Sequence, residues 1–380
     1  CRRSEDCRSG GCRHRFPVRS LPRSAPGLDC TMPSPDPLPL RDVHAAAGAL
    51  LAERRGRPVV ASYGDASAEY AAALEGAGLV DLSERTVLVA TGPGRQAFLQ
   101  GMLSNDVSGR SPGQGCRAAL LDTKGHVLAL LRVLVEDGSI RLETDAARVE
   151  TVQRTLEHHR VAAPVRFEIE ATAVLAVLGL QAGSVLRSLG IDPPLSSEDH
   201  SGTNHAGEAI RIARAGDLPG GGFVLHVPPS GAAPAFEALR SAGAAPVGRD
   251  ALDARRVEDR RPWYGEDVTA DNLLHETGLV PELHSSGKGC YLGQETVARL
   301  EGRGGHVNKA LRRLRLSAPA APDAPVHAGE RDVGRVTTPA VSPRFGPVAM
   351  AYVHRDHFAP GTALEVGGAA AAVVDGFDPE

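Results

Sequence analysis

The sequence predicts an α+β protein that ends in a small all-β barrel. Three observations carry that expectation. Strand-like and helix-like segments alternate with short hairpins up to about residue 250, which suits α+β layers better than one parallel sheet. From Leu311 onward, short strands recur at about ten-residue spacing between Gly and Pro, the texture of a barrel. The 380 residues are enough for roughly two or three domains with real cores.

Composition narrows the function classes. Hydrophobic residues make up 42% and charged residues 23%, ordinary globular usage that excludes wholesale disorder. A net charge of −4 excludes a generally basic nucleic-acid wrapper, leaving room only for a local basic groove. The longest apolar run, Ala173 to Leu180, falls far short of the roughly 20 residues that cross a bilayer and reads as a buried strand. A soluble, cytoplasmic protein without a membrane partner is expected.

Residues 1–39 read as a disordered tail or an upstream extension. They are rich in Arg, Ser, Pro and Gly and hold Cys1, Cys7, Cys12 and Cys30, whose spacings fit zinc pairs poorly. The remaining thiols, Cys116 and Cys290, belong to a reducing compartment on this reading. Apolar residues at helical spacing predict a helix over Arg41–Arg55. A strand at Thr86–Val89 follows, then a helix carrying Phe98, Leu99 and Met102, with Thr91 as its cap. A hairpin of Arg117–Leu121 and Val127–Val135 turns at Asp122-Thr123-Lys124-Gly125. A strand over Ile140–Thr144 and a helix over Ala147–His159 complete a first domain at 40–164.

A second α+β domain spans 165–250, with strands at 165–170, 172–180, 209–214 and Phe223–Val227 and helices at 182–189 and Pro234–Ala242. His200 and His205 lie in a polar loop on this reading. Residues 251–309 form a segment returning to the first domain, and 310–380 form the barrel. Its strands are Leu311–Leu316, Arg331–Thr337, Val348–Val353, Ala363–Val366 and Ala371–Val374, with 318–325 as a surface loop.

The most informative stretch is Ser286-Gly287-Lys288-Gly289-Cys290-Tyr291-Leu292-Gly293-Gln294-Glu295-Thr296-Val297-Ala298-Arg299. Glycines around Cys290 permit close approach of a ligand. A helix beginning at Gln294, with Lys288 nearby, would favour thiolate over thiol. The same residues also suit a buried structural cysteine beside a helix cap.

Lys288 through Glu295 resembles the K-G-C-Y-x-G-Q-E signature of the YgfZ family. These are folate-binding proteins of iron–sulfur cluster maintenance, related in fold to the aminomethyltransferase (T-protein) of the glycine cleavage system. Phe98 to Val107 is similar to the family's FLQGxLTNDV segment, and Leu121 to Val127 to its LDxKGRV hairpin. Arg256-Val257-Glu258, with Pro262, Gly265 and Asp267, resembles R-I-E-x-G-x-P-x-x-G, although Arg260 replaces a glycine.

The resemblance implies a T-protein-like ring of three domains around a central channel that holds tetrahydrofolate or a derivative. It implies Cys290 as the reactive thiol with Lys288 beside it. Asn105, Asp106, Glu258, Tyr291, Gln294, Glu295 and Arg299 follow as folate-binding residues, and no stable metal site is implied. Iron–sulfur enzymes or their assembly factors, including those acting on tRNA, follow as partners. Direct RNA contact stays open, as does enzymatic turnover.

The aminomethyltransferases carry an acidic pair in a G-G-x-x-D-D segment. Ala129 and Leu130 stand there in this chain, and neither moves a proton. Folate-dependent aminomethyl transfer is therefore the alternative function. Asn105 and Asp106 equally suit turn caps, Arg256 and Glu258 an ordinary ion pair, and Trp263 and Tyr264 a core.

Overall fold

A computed structural model describes residues 38–205 and 207–377. The tail expected at 1–39 thus lies outside the described residues, save for its last two. The first helix, expected to reach Arg55, stops at Ala46. Gly48, with φ 81°, ends it in the left-handed region. Leu50–Arg54 instead pairs antiparallel with Arg57–Ser62.

Among the described residues, a five-stranded antiparallel sheet runs in the order Gly115–Leu121, Val127–Val135, Ser139–Asp145, Arg85–Thr91, Arg166–Glu170. Helices Arg95–Met102 and Val149–His159 cover one face, burying Leu88, Leu99, Leu131 and Val152. Thr91 does not cap the first of these helices, which follows Gly94 without a side-chain cap. The Gly94 N–H donates to Pro164 O (3.2 Å) and holds that turn.

A six-stranded sheet runs His200–His205, Glu208–Ala215, Gly222–Val227, Ala173–Leu178, Gly78–Asp81, Ala245–Pro246, with only the last pair parallel. Gly78–Asp81 comes from the 40–164 segment yet pairs here. The expected loop with His200 and His205 is an edge strand, and its half-solvated edge position explains its polar sequence. Helices Ala182–Ser188 and Pro229–Ser241 pack around Phe236 and Leu239 on one face. Ala66–Leu74 and Arg249–Glu258 pack around Tyr70 and Leu252. The second helix of that pair was missed because its sequence is mostly charged, although only Asp250 of it escapes burial.

The C-terminal strands close into a barrel in the order Lys309–Leu316, Gly346–His354, Arg331–Ser342, Pro325–Ala328, Ala363–Val366, Ala369–Val374. Leu314, Val326, Val336, Val353 and Val373 fill it, and closure leaves no free edge. Pro325–Ala328 begins within the expected surface loop. No helix among the described residues is long and apolar enough to cross a membrane.

Candidate functional site

The loop carrying Cys290 joins helices Val280–Leu283 and Gln294–Glu301. Its anchor is Lys288, whose ammonium donates to the main-chain carbonyls of Gln100 (2.6 Å), Leu103 and Asn105 (3.0 Å). These acceptors cluster at the C-terminal end of helix Arg95–Met102, where carbonyls lack helical partners. Burial pulls the ammonium down to about 8, while the charges of Asp106 and Cys116 push it up. With its N–H groups donated to three carbonyls, Lys288 clamps the loop.

Cys290 itself is exposed. Gly289 next to it meets no atom within 4 Å where a Cβ would stand, so that position too is open. Gly293, with φ 79°, is different: a Cβ there would lie 2.3 Å from Asp122 O. The hairpin turn therefore seats directly on the start of the signature helix. The Asp122 carboxylate accepts the N–H groups of Lys124 and His126 (both 2.8 Å), fixing that turn.

The other expected residues do not converge on one ligand wall. Asn105 donates to Arg117 O (2.7 Å) and Glu282 O (3.2 Å). Asp106 accepts Ser108 Oγ (3.0 Å) and Gly109 N–H (3.3 Å), a turn cap. Gln294 Oε1 accepts the Tyr291 N–H (3.2 Å), and Tyr291 is buried with its hydroxyl unpartnered. Glu258 accepts from Tyr70, Arg255 (2.5 Å) and Ser342 (2.5 Å), tying helix Arg249–Glu258 to the barrel. Arg256 pairs with Asp253, Glu266 and Asp267 instead of Glu258. Glu295 and Arg299 are exposed.

Two cavities lie elsewhere, and none of those residues lines either. A tight pocket of about 50 Å³ is walled by Glu84, Arg85, Leu130, Asp145, Trp263 and Tyr264, among others. Arg117 also lines it, so one hydrogen-bonded chain runs from Lys288 through Asn105 to the pocket wall. The Trp263 ring lies among the guanidiniums of Arg85 (4.9 Å), Arg249 (4.8 Å) and Arg256 (4.2 Å). Its buried indole N–H has no acceptor among the described residues. Burial pushes the carboxyls of Glu84 and Asp145 up, against the pull of Arg249 and Arg57 respectively. A second, wider cleft of about 570 Å³ lies against the barrel.

The sequence motifs pointed to none of Glu84, Arg85, Asp145 or Asp217. Arg85 and Asp145 stand at strand ends, and Glu84 and Asp217 lie between strands, so periodicity gave no signal for them.

Residues 40–281 match the family model for the GCVT N-terminal domain, and 309–374 match the glycine cleavage T-protein C-terminal barrel domain. The chain belongs to the glycine cleavage T-protein family. Aminomethyltransferase of Saccharopolyspora erythraea is 30% identical over 358 residues, covering 88% of this chain and 94% of that protein. That of Streptomyces avermitilis is 29% identical, covering 84% and 90%. The crystal structure of glycine cleavage system aminomethyltransferase T from Bartonella henselae superposes with TM-score 0.79 at 25% identity, covering 88% and 96%. The T-protein-like fold with mixed α/β content and a closed six-stranded C-terminal barrel is therefore the fold of this chain.

Within a T-protein fold, the position of Leu130 gains meaning. Ala129 is buried in the core beneath the sheet, whereas Leu130 lines the tight pocket. At the place where the family's acidic pair is expected, the pocket wall is hydrocarbon.

The pocket wall brings together the Trp263 indole and the carboxyls of Glu84 and Asp145. The pocket's volume of about 50 Å³ holds about one or two waters.

Proposed function

We propose that this T-protein-family chain is a tetrahydrofolate-binding protein that supports assembly or repair of iron–sulfur enzymes, including those that modify tRNA. Cys290 is its reactive group. The observation that carries this reading is an exposed thiol on a loop clamped by three Lys288 hydrogen bonds, within the K-G-C-Y-x-G-Q-E pattern. A single thiolate does not hold a cluster, which takes about four such ligands. Cys290 thus acts transiently, with a partner enzyme or assembly factor approaching through the open side at Gly289.

In this reading folate supplies a one-carbon-carrying nitrogen near Leu130. Trp263, Glu84 and Asp145 orient the ring, and the Leu130 side chain itself carries no proton acceptor where the family's acidic pair is expected. This absence is the argument against aminomethyl transfer.

Aminomethyl transfer is the second reading, favoured by relatives named aminomethyltransferase at 29–30% identity across most of the chain. Two measurements on purified protein test the readings, and the second separates them. Calorimetric titration with tetrahydrofolate gives binding under both. Folate-dependent turnover of an aminomethyl or N-methyl donor is absent under the first and present under the second.

A further inference from the structure

Arg260 replaces a glycine of the R-I-E-x-G-x-P-x-x-G pattern, and its backbone is left-handed, with φ 49°. That conformation suits glycine and strains a residue with a Cβ. The chain thus carries a guanidinium where the backbone favours no side chain. We propose that Arg260 and Arg312, on barrel strand Lys309–Leu316, form a binding site for a phosphate group. Neither residue lines the two cavities, and the site is independent of the folate reading.

Two contacts set the pair side by side. Leu311 and Val257 share one buried cluster, and Arg313 Nη1 donates to Glu258 O (2.6 Å). Residues 311–313 therefore run along the end of helix Arg249–Glu258, from which the chain turns through Arg260. Each guanidinium is held by a flat face. The Cζ, Nη1 and Nη2 atoms of Arg260 lie 3.7, 3.9 and 3.9 Å from where a Cβ would stand at Gly278. Arg312 Cζ lies 4.0 Å from the centroid of the Phe358 ring.

Neither guanidinium makes an ion pair among the described residues, and Arg312 donates to Leu311 O (3.1 Å). The neighbouring acids are engaged elsewhere: Glu258 and Asp259 with Arg255 (2.5 and 3.2 Å), and Glu276 with Lys309 (3.8 Å). Burial and the Arg260 charge pull the Arg312 guanidinium down, against the push of exposed Asp375. Two like charges are thus held together, and a bound anion relieves their repulsion.

The chemistry selects a tetrahedral oxyanion. With one face of each guanidinium packed, the N–H edges are what a ligand meets, and they pair in plane with oxygen acceptors. A carboxylate has two oxygens in one plane and suits one such fork. A phosphate group has three or four oxygens in different directions and serves both. It occurs free, as inorganic phosphate or a small ester, and in the backbone of RNA.

The test titrates the full chain with inorganic phosphate and with decauridylate, taking chloride at matched ionic strength as the reference. The wild type should bind at least one of them. R260G and R312Q should each weaken that binding at least about tenfold, the effect of losing one charged hydrogen-bonded contact. R260G restores the residue that the backbone favours, so it should unfold at no lower temperature than the wild type, and thermal unfolding also shows whether R312Q folds. Binding of inorganic phosphate, weakened by both variants, supports the site with a free phosphate as its ligand. Binding of decauridylate alone, weakened by both, supports it with the phosphate of RNA. No binding above the chloride reference, or binding that survives either variant, overturns the proposal.

Discussion

Cys116 and Cys290 sit in opposite environments. Cys116 lies within strand Gly115–Leu121, where burial pushes its thiol up to about 11, with Glu198 and Asp106 adding to the rise and Arg110 opposing it. Cys290 is open to solvent. Iodoacetamide at about pH 8 should therefore label Cys290 in the folded chain and spare Cys116, because the thiolate is the nucleophile. Peptide mapping checks this, and comparable labelling of both would contradict the placement of the signature loop. Lys288→Met should cost about 1.5–3 kcal/mol in urea unfolding, the range for hydrogen bonds from a charged donor. A neutral effect would mean that the clamp is not made. Cys290 was legible in the sequence as a motif residue, but the work of Lys288 was not. Its partners, Gln100, Leu103 and Asn105, lie more than 180 positions away, and spacing carries no trace of them.

At the scale of elements, the signature helix and the hairpin turn define each other. Gly293→Ala forces a Cβ against Asp122 O from a left-handed backbone and should destabilise by about 1–3 kcal/mol. Gly289→Ala, in open space without a positive φ, should change stability by less than about 0.5 kcal/mol. Thermal or urea unfolding of the pair checks this, and equal effects would contradict the seating of turn on helix. Periodicity revealed most elements, because Leu88, Leu131 and Val152 alternate or recur toward one core. It failed where burial is polar. Helix Arg249–Glu258 buries Arg255, Arg256 and Glu258 by pairing them, so no apolar stripe announces it. Strand His200–His205 has an edge to spare and needs no apolar alternation. Leu50 and Leu51 mimicked a helix face, yet they lie exposed on a hairpin strand.

Across the molecule, the two sheets meet through buried charge. Arg132 of the first sheet pairs with its neighbour Glu143 (3.3 Å) and with Glu198 and Asp217 from the second region. His226 of the second sheet reaches Glu143 at 2.7 Å. Burial alone would raise the carboxyls of Glu143 and Asp217, but Arg132 and Arg85 outweigh it and hold both well below the usual carboxylate range. Below about pH 5 the unfolded chain then binds more protons than the folded one. The stability these groups contribute is complete above that range and is lost as pH falls through it. Arg132→Met takes the arginine from Glu198 and leaves Glu143 and Asp217 sharing Arg85, and should cost about 3–5 kcal/mol near neutral pH. Urea unfolding between about pH 7 and 3.5 should also give a shallower acid loss than in the wild type. An unchanged profile would contradict the network. The partnerships with Glu198, Asp217 and His226 could not be read from sequence, since they join separate segments of the chain.

The role proposed for this T-protein-family chain is service to iron–sulfur enzymes through one exposed sulfur. Its most direct test is complementation of a deletion strain, reading iron–sulfur enzyme activity and tRNA thiomodification. The wild-type gene should restore both, and Cys290→Ser, expressed at the same level, should restore neither in full. Full rescue by Cys290→Ser would contradict the account.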